Sequence, residues 1–145
     1  MIGLLQRVNE ASVRVDGDLV AEIGSGLAVL VGVQRGDDEA KADRLLERVL
    51  GYRVFGDQSG RMNLSLRDMQ GGLLLVPQFT LAADTRKGMR PGFSSAAEPE
   101  QGKALFNYLA ERAQAQYHPV ACGVFGAYMQ VALVNDGPVT FWLES

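Results

Sequence analysis

Leu27-Ala28-Val29-Leu30-Val31-Gly32-Val33 contains no polar side chain. A run of this length, apolar on both faces, predicts a central strand buried on both sides. Leu73-Leu74-Leu75-Val76, entered through Gly71-Gly72, predicts a second. The rest of the chain arranges itself around these two. Residues 2–8 read as a strand. Residues 12–15 and 19–23 alternate on either side of Asp16-Gly17, a hairpin signal. Asp37 suits a helix N-cap, with Asp38 and Glu39 in the first turn. Ala42, Leu45, Leu46, Val49 and Leu50 then form one helical stripe that ends near Gly51. Residues 52–55 predict a short strand and 57–60 a turn. Pro99 fits the first position of a second helix, whose apolar face is Leu105, Phe106, Leu109 and Ala113. Strands follow from Val120, over 128–134 and over 139–143. Between the last two, Asn135-Asp136-Gly137-Pro138 reads as a tight connection. Residues 81–97 carry no periodicity, and a long irregular connection inside a compact domain is usually functional. The pattern predicts one mixed α/β domain over 1–145, rich in strands, with two main helices and a largely antiparallel sheet.

Composition narrows the function. Hydrophobic residues make up 47% and charged residues 21%, an ordinary globular balance. The formal net charge of -3 argues against a generic nucleic-acid coat protein, though not against a local basic patch. Cys122 is the only cysteine, so no internal disulfide can form, and a reducing compartment is expected. The first residues lack a basic region followed by a long apolar stretch, and no run reaches membrane-spanning length. A cytoplasmic protein without membrane contact is the expectation.

Few residues here can carry catalysis. A nucleophilic Ser, Cys or Thr needs a neighbouring base. The one histidine, His118, stands before Pro119 at a helix-to-strand junction and reads as a surface loop residue. Cys122 alternates as a core position and has no obvious base. One His and one Cys cannot furnish the three or four ligands of a zinc site. No metal and no cofactor are expected. Thr80 stands at the end of a buried strand. On its own it is either a β-branched residue facing a turn or part of a pocket mouth. In the second case the Phe79 and Thr80 N–H groups, or the Thr80 hydroxyl, could hydrogen-bond a developing oxyanion.

Two motifs lend weight to the pocket. Gln78-Phe79-Thr80-Leu81 and Asn135-Asp136-Gly137-Pro138-Val139-Thr140 resemble the two signature motifs of the D-aminoacyl-tRNA deacylase family. The resemblance extends along nearly the whole chain. It takes in Leu5-Gln6-Arg7-Val8, Ala11-Ser12-Val13, Met62-Asn63-Leu64-Ser65-Leu66 and Phe125-Gly126-Ala127. One departure is plain: Pro77 stands where the family usually has Ser. The resemblance implies a three-layer helix/sheet/sheet domain that works as a homodimer with active sites at the subunit interface. It implies hydrolysis of the ester between a D-amino acid and the terminal ribose of tRNA, and of glycyl-tRNA mischarged on tRNA-Ala. Gln78, Phe79 and Thr80 would carry the chemistry. Gly137 and Pro138, joined by a cis bond and inserted from the partner, would form a backbone wall that rejects L-substrates. Arg7 would brace that turn across the dimer. Phe125 and Met129 could line an adenosine pocket; core packing is the stronger alternative for both. Given a tRNA substrate, Arg86, Lys87 and Arg90 in the long loop become candidate phosphate contacts. The alternative from another class is a non-catalytic dimeric RNA-binding module, in which Gln78 and Thr80 are structural.

Overall fold

The structure, a computed structural model, describes residues 1–145. Its strands are β1 (Ile2–Val15), β2 (Asp18–Ile23), β3 (Gly26–Gly32), β4 (Phe55–Gly56), β5 (Met62–Leu64), β6 (Gly72–Pro77), β7 (Val120–Cys122) and β8 (Met129–Glu144). Its helices are α1 (Glu39–Gly51), α2 (Leu66–Met69) and α3 (Pro99–Gln116), with a 3-10 turn at Phe79–Ala82. The two wholly apolar runs become β3 and β6, neighbours in the middle of the main sheet. They pair in parallel, and β7 extends the parallel part beyond β6. The antiparallel expectation holds for the pairings of β1 with β2, β3 and β8 and fails for those of β6 with β3 and β7. Parallel neighbours need a crossover. α1 and α2 lie in the connection from β3 to β6, and α3 in that from β6 to β7.

Burial on both faces explains the lack of polar residues in β3 and β6. Leu27, Val29, Val31, Leu73 and Leu75 pack with Leu45, Leu46, Val49 and Leu50 of α1 and with Leu105, Phe106 and Leu109 of α3. The intervening Ala28, Leu74 and Val76 face the other way, onto Val8, Ala11, Val13 and Ala21. The far half of β1 and its hairpin partner β2 therefore form a third layer. Each fully buried side chain of this kind contributes about 1.5–3 kcal/mol relative to exposure. The close start of β3 and β6 requires glycine, since a Cβ on Gly26 would strike the Gly72 carbonyl.

β1 runs unbroken where two strands were expected. Its register with β8 slips around Val8, and Asn9 and Glu10 are exposed there. Such irregularities bend a strand without ending it. This one lets β1 serve the sheet with one half and the covering layer with the other. The chain also does not reverse at Asn135–Pro138. Both flanks belong to one strand, β8, antiparallel to β1 throughout. Gln6 pairs with Thr140 and Val8 with Asn135, so residues 136–139 swell out of the ladder as an enlarged bulge.

Smaller corrections have local causes. The α1 cap is Asp38, which accepts from the Lys41 N–H at 2.9 Å. Asp37 is buried instead, holding the Met1 α-amino group at 2.9 Å and the Gln34 N–H at 2.7 Å. The strand expected over 52–55 shrinks to Phe55–Gly56. The short α2 was missed, although Ser65 and Asp68 form a capping box and give a readable start signal.

Candidate active site

The site is built where β6 ends. Within β6, alternate N–H groups face opposite neighbours. Leu73 donates to Pro119 on the β7 side at 3.0 Å, and Gln78, just beyond the strand, donates to Val31 of β3 at 2.7 Å. Position 77 faces β7. That ladder closes with Gly123 N–H to Leu75 at 2.8 Å, so Pro77 sits beyond its last rung. A proline at this point loses no bond the sheet was making. The chain then turns tightly, with the Leu81 N–H on the Gln78 carbonyl at 3.2 Å and that of Ala83 on Thr80 at 3.1 Å. The Phe79 and Thr80 N–H groups precede the first of these bonds and have no acceptor within the turn. The Gln78 amide donates to the Thr80 hydroxyl oxygen at 2.5 Å, leaving the hydroxyl proton free.

A cavity of about 450 Å³ opens at this strand end, a usual size for a small-molecule site. Val76, Pro77, Gln78 and Phe79 form one wall. Phe106 of α3 stands on another side, Phe125 and Tyr128 approach from the segment between β7 and β8, and Met129 from the start of β8. Phe125 packs on Phe106 with ring centroids 6.4 Å apart, and the Met129 sulfur accepts the Val124 N–H at 3.3 Å. Of the residues singled out in the sequence, Gln78, Phe79, Phe125 and Met129 line the cavity. Thr80 lies just outside the lining, exposed. Tyr128 was missed as a lining residue, because the sequence placed it as the first residue of the strand expected over 128–134; it stands just before β8 and is 89% exposed.

Gly137, Pro138 and Arg7 do not reach this cavity. The bulge that carries them is closed by Asn135, whose side chain accepts from the Val139 N–H at 2.7 Å and donates to the Thr140 hydroxyl at 2.9 Å. Gly137 has φ +143°, and a Cβ there would lie 2.7 Å from a Val139 methyl. The Gly137–Pro138 bond is cis, as is His118–Pro119. Arg7 was expected to brace the turn of a partner. Within the chain its guanidinium donates to the Asp136 carbonyl at 3.0 Å and to the Val54 carbonyl at 2.6 Å. The Asp136 carboxylate stands 3.3 Å away.

The loop cations differ among themselves. Arg86 forms a two-pronged pair with Asp84 at 2.9 and 2.7 Å. These bonds hold the Asp84 carboxyl well below the usual carboxylate range. Lys87 and Arg90 are exposed and join no ion pair.

No nucleophile–base pair is assembled. His118 is exposed and outside the cavity lining. Burial pushes the Cys122 thiol up, away from the reactive thiolate. No three His, Cys, Asp or Glu side chains gather in a metal-binding group. What the site offers is apolar walls, a positioned amide and backbone donors. That equipment suits a substrate that is already activated.

This architecture recurs in solved structures. One described as a c-Myc DNA Unwinding Element Binding Protein superposes with a TM-score of 0.95 and 40% identity, covering 100% of this chain and 99% of its own. Another, described as a probable eukaryotic D-amino acid tRNA deacylase, shares the fold with a TM-score of 0.81 at 17% identity, covering 99% and 98%. The fold class is thus that of the deacylase-like mixed α/β domains. The chain belongs to the D-Tyr-tRNA(Tyr) deacylase family, whose pattern it matches over residues 4–144. The D-aminoacyl-tRNA deacylase of Thioalkalivibrio sulfidiphilus is 69% identical over 144 residues, 99% of this chain and 97% of that protein. That of Stutzerimonas stutzeri is 65% identical over the full length of both.

Proposed function

We propose that the chain hydrolyses the ester joining a D-amino acid to the terminal adenosine ribose of tRNA, releasing tRNA and the free D-amino acid. The observation that carries this reading is the strand-end cavity, which offers backbone donors but no nucleophile–base pair. An aminoacyl ester is activated enough that water can attack it directly. The water oxygen bonds to the carbonyl carbon, and the ribose oxygen leaves and takes up a proton. The neighbouring ribose 2′-OH assists the attack. The Phe79 and Thr80 N–H groups stabilise the negative charge on the carbonyl oxygen.

Chiral selection follows from a homodimer. The bulge at Gly137–Pro138 of one subunit enters the cavity of the other as a wall of backbone atoms. With the ammonium and carbonyl held, a D side chain projects to solvent and an L side chain strikes the wall. Glycine offers nothing to exclude, so glycyl-tRNA mischarged on tRNA-Ala is cleaved too. Support for a dimer comes from β8, which pairs only with β1 and leaves Val131, Val134, Phe141 and Trp142 exposed. A long edge strand with apolar exposure invites a partner. Lys87 and Arg90 bind tRNA phosphates. No helix is long and apolar enough to cross a membrane. The single unpaired cysteine fits work in the cytoplasm.

Matched D- and L-aminoacyl-tRNAs, with glycyl-tRNA as a third substrate, test the reading. Rapid loss of the D ester and of the glycyl ester, with the L ester spared, is the expected result. Binding of tRNA without any deacylation would instead favour the non-catalytic RNA-binding module. The structural neighbour described by its binding to a DNA element gives that second reading its footing.

A further inference from the structure

Phe79 and Phe93 lie against each other with ring centroids 5.2 Å apart and planes inclined at 41°. Both remain wet, at 58% and 42% exposure. Phe79 also lines the cavity, so the pair forms an apolar step at its mouth. The segment holding Phe93 is anchored. Asp84 and Gly92 exchange two backbone bonds at 2.7 and 3.0 Å, the Ser95 hydroxyl donates to Ala82 at 2.5 Å, and Ala96 is buried. The same two-bond clamp closes the finger that displays the unpaired cations Lys87 and Arg90, the latter three residues before Phe93. Exposed rings beside free cations match a single-stranded nucleic acid, whose bases stack while its phosphates seek positive charge. They match an apolar protein partner less well.

We propose that the Phe79–Phe93 pair is a stacking platform for the unpaired nucleotide next to the aminoacylated terminal adenosine, with Lys87 and Arg90 taking its phosphate. The proposal rests on the deacylase reading. The terminal nucleoside fills the cavity, and the chain preceding it must leave by the mouth, over these rings. Phe93 then acts on binding of the longer substrate without touching the reacting ester.

The test uses binding by the whole protein at fixed salt. Three stable ligands carry an amide in place of the ester: a 3′-D-aminoacylamino-adenosine, the same unit with one 5′-linked cytidylate, and that dinucleotide with the cytosine removed. The cytidylate is expected to tighten binding on the order of tenfold to a hundredfold, and removing its base to abolish most of the gain. Phe93→Ala should erase the contribution of the base, and Phe93→Tyr should restore it. Equal binding of the abasic and complete dinucleotides overturns the platform, with no variant needed. So does a Phe93→Ala protein that keeps the full gain. Failure to bind even the adenosine ligand would instead bring down the deacylase reading, and the platform with it.

Discussion

The β6 strand end and the β8 bulge hold the two motifs, and they are held in place by different means. At the β6 end the main chain does the work: Gln78 is tied to β3, and the wall behind it is Val76, 1% exposed. At the bulge the ladder is interrupted, and side chains hold the turn. Asn135 closes it, and Arg7 pins it from the facing strand β1. The strand end lines a cavity and the bulge of the same chain does not. One half of the proposed site is thus a recess and the other a projection, as expected of parts that meet between subunits. Substitutions should accordingly be milder at the strand end and more severe at the bulge.

The largest effect is expected at Gly137. Alanine there must adopt a φ that L-residues avoid and must displace Val139, a strain of about 1–3 kcal/mol. Gly137→Ala should lower the melting temperature and cut D-aminoacyl-tRNA hydrolysis on the order of a hundredfold or more. A variant of normal rate and unchanged D/L discrimination would break the comparison. Arg7 comes next. Its mostly buried guanidinium makes charged hydrogen bonds, each contributing roughly 1.5–3 kcal/mol. Arg7→Ala should destabilise the fold by about that much, and Arg7→Lys should rescue little, because an ammonium cannot reproduce the planar fork. Thermal melts and the D/L rate ratio read both consequences. If lysine restores discrimination, the bulge needs only a charge beside it.

The loop cations should affect binding rather than chemistry. Replacing Lys87 and Arg90 together should lower the salt slope of tRNA binding by roughly 1.5–2, close to one unit per lost phosphate contact. Arg86→Ala should change it less, since Asp84 already occupies that guanidinium. Affinities at several salt concentrations separate the two cases. The smallest effect belongs to Thr80. Backbone donors survive side-chain truncation, so Thr80→Ala should lose less than about tenfold in kcat. A loss on the order of a hundredfold or more would assign oxyanion stabilisation to the hydroxyl.

Much of the β6 end was legible because its signals are local. An unbroken apolar run predicts a doubly buried strand whatever lies around it. Pro77 and the polar residues after it mark where the strand stops, and Gln78 and Phe79 do line the cavity. The bulge was half legible. Asn, Asp, Gly and Pro signalled a departure from the strand, but the same signals serve a hairpin. Only the twelve-residue partnership of β8 with β1 keeps the chain on course through it. Arg7 was assigned to a partner's turn by the family resemblance; its reach to the bulge of its own chain follows from the β1–β8 pairing, which no local pattern spells out.

The sequence by itself determined which segments are buried and where the apolar run of β6 stops. Those properties depend on residue type and short-range pattern. The tertiary structure decided that β3, β6 and β7 run parallel, that β1 bends to serve two layers, and that 136–139 bulge outward instead of turning back. It also brought Phe106, Tyr128 and Met129 to the strand end and paired Arg86 while leaving Lys87 and Arg90 free. These outcomes depend on long-range pairing, in which a strand's direction and register are set by the partner it finds rather than by its own residues.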